Sequence, residues 1–180
     1  MAFTPVESRF GVQPIAFTNA PNTLLQAGQS PFANQEHPLG TIIRAYDPTF
    51  GEGEFIYLLG VANTVTGLLV TWDITTFQTT VLPSTAQLNA PVAVAMSANV
   101  ATNWGWYQIS GMATILKTNV QVTPTSVPVF ISATAGRIFL TSTAGKEIMG
   151  ARTANVTTVT STTSTVVVHI SRPFTQGHIT

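Results

Sequence analysis

Three histidines, His37, His169 and His178, are the only side chains of this sequence whose ordinary pKa permits proton transfer near neutral pH. For such chemistry an imidazole needs a nucleophile or carboxylate held beside it, or a second ligand at metal-binding spacing. No such neighbour is written into the chain. His37 precedes Pro38, His169 alternates with valines, and His178 lies near the C-terminus, so each reads as structural or solvent-facing. Neither Gly-x-Ser-x-Gly nor His-Glu-x-x-His occurs. Lys146 follows Gly145 as in a phosphate loop, but Glu147 stands where Mg²⁺ would need a hydroxyl, and the first loop glycine is missing. Asp47, Glu52 and Glu54 form the one acidic cluster, threaded through Pro48, Gly51 and Gly53. Their spacing departs from that of a calcium loop, so they read as a solvated loop entering a strand at Phe55. So few acids also argue against a paired-carboxylate glycosidase. The residues predict no catalytic group, no metal site and no cofactor.

Trp104-Gly105-Trp106-Tyr107-Gln108 is the densest aromatic patch. Buried, these rings would anchor a core or a subunit interface, where the polar tips of Trp and Tyr find partners. Exposed, they could stack on sugar rings, which is the basis of a glycan-binding alternative.

The elements that must position these residues are short strands. Runs at 41–46, 54–59, 68–72, 79–82, 92–96, 106–109, 113–116, 120–122, 129–131, 137–140 and 146–149 are rich in β-branched residues and separated by turn residues. No good helix appears, and in 92–96 the alternation of valine with alanine fits a buried, close-packed strand. Ala133-Thr134-Ala135-Gly136-Arg137 and Ser142-Thr143-Ala144-Gly145-Lys146 share a Thr-Ala-Gly-basic core and predict two successive tight turns of one antiparallel meander. The Thr/Ser run 157–164 and the strand 165–170 predict a hairpin, ended by Pro173. The fold class is therefore all-β, an antiparallel β-barrel or β-sandwich with an extended N-terminal arm.

That arm is residues 1–37, where Pro5, Pro14, Pro21 and Pro31 break any periodicity. It nevertheless carries Phe3, Phe10, Ile15, Phe17, Leu24, Leu25 and Phe32, which need somewhere to be buried. Two readings stay open: a loop wrapped over the chain's own core, or an arm lying on a neighbouring subunit. Together with Trp104, Trp106 and Tyr107, these are the candidate interface residues. The β domain spans 38–175, and 176–180 is a short tail.

Composition points the same way. Charged residues make up 8% of the 180-residue chain, seven basic against seven acidic, where about 25% is ordinary. The mean hydropathy is +0.30, yet no run approaches the roughly 18 apolar residues of a membrane helix. A nucleic-acid binder would need a clustered basic stripe, whereas the basic residues here are scattered. Near-zero net charge favours association over mutual repulsion. With no cysteine, disulfides and thiolate metal sites are excluded, which leans toward an intracellular origin. The start MAFTPVESRFG shows no signal-peptide pattern, and Asn155-Val156-Thr157 reads as a chance sequon.

Ordered segments carry a resemblance. Residues 51–62 (GEGEFIYLLGVA) lead to 67–73 (GLLVTWD), 91–96 (PVAVAM) to 105–111 (GWYQISG), and 135–137 (AGR) to 145–152 (GKEIMGAR), closing on 171–174 (SRPF). In this order, over about residues 38 to 175, the chain resembles the capsid decoration (head cement) proteins of tailed bacteriophages. The resemblance implies a non-enzymatic β subunit, often a homotrimer, bound to the major capsid protein on the capsid exterior. Assembly would take place in the host cytoplasm, without nucleic-acid or membrane partners. A tail-fibre or tail-tip subunit with a glycan-binding role is the alternative.

Overall fold

Short β-branched runs broken by glycine, proline and aspartate satisfy their backbone N–H and C=O groups most readily by pairing with one another. The computed structural model describes residues 4–5, 18–19, 35–99, 101–120 and 125–177. Every regular element among them is a strand: β1 (Thr4–Pro5), β2 (Thr18–Asn19), β3 (Ile42–Asp47), β4 (Gly51–Leu59), β5 (Leu69–Trp72), β6 (Thr79–Val81), β7 (Val92–Ala95), β8 (Trp104–Leu116), β9 (Thr125–Ile131), β10 (Ile138–Phe139), β11 (Glu147–Ala154) and β12 (Thr165–Thr175). The pairing order is β1-β3-β4-β8-β12-β11-β9-β10; β2 and β7 also pair with β8, and β5 joins β7 to β6. All strand pairs are antiparallel, and the sheet curls into a half-barrel. The expected all-β antiparallel class is the class observed. The curl returns Ile138 of β10 to Lys117, just past β8, where Thr118 N donates to Ile138 O at 3.1 Å.

β8 is the spine. Its first half pairs with β4 from Glu54↔Ser110 to Leu59↔Trp104, and its second half with β12 from Thr165↔Leu116 to Ser171↔Ser110. Gly111 sits where the partners change, at φ +98°, and a Cβ there would lie 2.6 Å from the Glu52 carbonyl oxygen. Only glycine fits that close approach. The buried Gln108 braces the bend, its Nε2 donating to Ser110 O (3.0 Å) and Met112 O (2.9 Å).

Alternation along β7 and β8 distributes three cores. Val92 and Val94 join Ala113, Ile115, Val166, Val168 and Ile170 inside the curl. Ala93 and Ala95 point the other way, against Tyr107, Ile109, Ile56 and Leu58. Trp104 and Trp106 lie with Phe55, Tyr57, Ile43 and Met96 on the third side. The small alanines let β7 pack between two cores, as the alternation of 92–96 required.

Five expectations need correction or lie outside the described residues. The runs 106–109 and 113–116 are one strand, because Gly111 bends β8 without ending it. The Thr/Ser run 157–164 is not a hairpin arm; β12 pairs instead with β11, and the run belongs to the loop between them. Both Thr-Ala-Gly turns form, with Gly136 at φ +71° and Gly145 at +72°. The strands around them are not a meander, since β11 passes over β10 to pair with the far side of β9. Pro173 does not end β12, which continues to Thr175. Its missing N–H is tolerated because the ladder is already interrupted by the bulge between Met149 and Ala151. Most of the run 120–122 lies outside the described residues.

Candidate interaction surface

The aromatic patch is built inward. Trp104, Trp106 and Tyr107 are 1–2% exposed within this chain. Trp106 packs on Tyr57 at 5.0 Å between ring centroids, and His37 sits against both, at 5.4 Å from Tyr57 and 5.3 Å from Trp106. The Tyr107 hydroxyl accepts a hydrogen bond from Asn99 Nδ2 at 2.9 Å, and burial pushes its pKa up. These rings therefore form core rather than a subunit contact, and they offer no platform for a sugar. Alternation alone could not show this, because both faces of the first half of β8 are covered. Phe3, Phe10, Ile15, Phe17, Leu24, Leu25, Phe32 and His178 lie outside the described residues. The described arm residues pair within this chain, Thr4 and Pro5 with Tyr46 and Ala45, and Thr18 and Asn19 with Gly105 and Trp104.

The acidic cluster divides. Asp47 is buried, and its Oδ1 accepts from Thr49 N (2.8 Å) and Phe50 N (3.0 Å), closing the β3–β4 turn. Glu52 and Glu54 belong to β4 itself rather than to a loop. Register places them opposite Tyr46 and Arg44 on the outward face of β3. Arg44 bridges Glu52 (3.8 Å) and Glu54 (3.9 Å), and Arg172 Nε reaches Glu54 Oε2 at 3.2 Å. Exposed pairs of this kind add little stability. Their effect is to leave this stretch of surface locally neutral.

Beside that chain of charges lies a groove of about 220 Å³, walled by Ile42, Ile56, Trp72, Pro91, Ile109 and Phe174, with Arg172 at its rim. Ile42 and Phe174 are each 40% exposed, and Met149, opposite Phe174 in the ladder, is also exposed. The strap before β7 fixes one wall: Ala90 N donates to Thr175 Oγ1 (2.7 Å), and Thr175 N donates to Ala90 O (2.9 Å). Sequence reading missed this groove, because its walls come from five strands that are far apart in the chain. The exposed-to-buried alternation of β3, with Ile42 on the solvent side, was the available signal.

At the far end of β8, Lys117 is sealed from solvent, and its Nζ donates to the carbonyls of Asn119 (2.8 Å) and Ser161. Burial lowers its pKa. Asn119 Oδ1 accepts from Leu140 N (3.0 Å), so the same knot ties β10 and the 155–164 loop to the end of the spine. His169 is exposed on β12. No protein-family model matches the chain, and no curated protein matches it.

Proposed function

We propose that this chain is a structural virion protein, a decoration or cement subunit on the outside of a tailed-phage capsid, with the major capsid protein and further copies of itself as partners. The observation that carries the reading is the charge-poor, locally neutral surface of an all-β body with 8% charged residues. An uncharged surface loses water at low cost when a lattice covers it, and apolar area then supplies affinity without desolvating charge. The ordered resemblance of residues 38–175 to head cement proteins supports the same reading. The tail-fibre alternative loses its aromatic basis, because Trp104, Trp106 and Tyr107 are core residues.

The test is cosedimentation of the full chain, and of a variant lacking residues 1–30, with expanded capsids. Binding by the full chain and weakened binding by the variant, at unchanged circular dichroism, are expected. A full chain that leaves the capsids bare overturns the proposal. Equal occupancy by both forms removes the arm from the mechanism.

A further inference from the structure

Two surface features, an apolar side chain on a protruding turn and an apolar groove, are mutually complementary. Trp72 lines the groove, and two residues further on Ile74 stands in solvent at 74% exposure. The turn that presents it is tightly built: Asp73 Oδ1 accepts from Thr75 N (2.9 Å), Thr76 N (2.7 Å) and Thr76 Oγ1 (3.0 Å), while Phe77 N donates to Asp73 O (2.9 Å). Those hydrogen bonds hold the Asp73 carboxyl below the usual carboxylate range, so it is charged at neutral pH. Covering a large apolar side chain that is already held on a fixed turn is favourable and costs little further ordering.

The groove has the opposite character. Its walls are apolar, and its rim carries Arg172, held at φ +43° in β12. A non-glycine residue at positive φ is strained, and such strain persists where the surrounding structure fixes it. Arg172 gives its Nε to Glu54, while its terminal nitrogens make no hydrogen bond among the described residues and its side chain is 67% exposed. Those remaining donors suit a carboxylate.

We infer that these features bind a second copy of the same chain, with Ile74 of one copy entering the groove of the other and Asp73 facing its Arg172. Apolar knob and apolar groove match, as do the anionic turn and the cationic rim. Each copy carries both a knob and a groove, so every copy can give one contact and receive another. The inference rests on the self-association included in the proposed function and names the surface responsible.

Sedimentation velocity of the full chain over a dilution series tests it. The wild-type chain is expected to assemble. Ile74→Asp should be monomeric at the same concentrations, with unchanged circular dichroism. Asp73→Asn keeps the turn acceptor while removing the charge. It and Arg172→Gln should each weaken assembly roughly tenfold, and the double variant should be no weaker than either single one. Ile42→Ser, which alters the groove wall without touching the ion pairs, should also weaken assembly. An assembling wild type with an unaffected Ile74→Asp variant overturns this surface and leaves self-association standing. A wild type that stays monomeric overturns both, while capsid binding is still read independently.

Discussion

Lys117 shows how one residue of this charge-poor chain is tuned by its surroundings. Its ammonium is sealed from water, and among the described residues carbonyl oxygens rather than a carboxylate receive it. Burial lowers its pKa, so the folded chain holds that proton less readily than the unfolded chain. The unfolded state binds more protons in this window, and stability therefore rises with pH as the ordinary lysine value of about 10.4 is approached. Tyr107 acts in the opposite sense. Its raised pKa contributes stability that is lost as pH climbs past about 10. Thermal melts followed from neutral pH up to that point should show a rise for the wild type that is absent in Lys117→Met. Parallel profiles for the two proteins would remove Lys117 as the cause. A lone lysine in a β-prone run gives no hint of this burial, because the loop that covers it arrives from Ser161, far along the chain.

Among the elements, β8 decides the architecture, since one strand serves β4, β7 and β12. Gly111 makes the change of partner possible, and Gly111→Ala should destabilise the protein by about 2 kcal/mol or more, given the strain of a side chain at positive φ against a backbone carbonyl. Chemical denaturation checks this, and an unchanged midpoint would show that the bend accommodates a methyl group. Most strands were legible in the sequence because β-branched runs and turn residues act locally. Their partners were not. The pairing of β11 with β9 across β10, and the passage of β12 through Pro173, depend on bulges and on distant ladders. The burial of Trp104 and Trp106 was equally hidden, because an aromatic on a strand looks the same whether its face is covered or bare. The groove was the least legible feature, since it exists only once Ile42, Trp72, Pro91 and Phe174 have been brought together by the curl.

At the scale of the whole molecule, seven positive and seven negative charges leave the chain neutral, and the outward face of β3, β4 and β12 repeats that balance locally. A neutral surface with an apolar groove is poorly suited to a solitary life in water and well suited to a repeating contact. The proposed role as a capsid decoration subunit makes this a matter of abundance. A subunit that covers a lattice must be present in numbers comparable with the lattice protein, whereas a tail-tip or fibre subunit is present in a handful of copies. Quantitative mass spectrometry of purified virions measures that ratio directly. The account predicts a copy number of the same order as the major capsid protein, and a chain present in only a few copies per particle, or absent from particles, would contradict it.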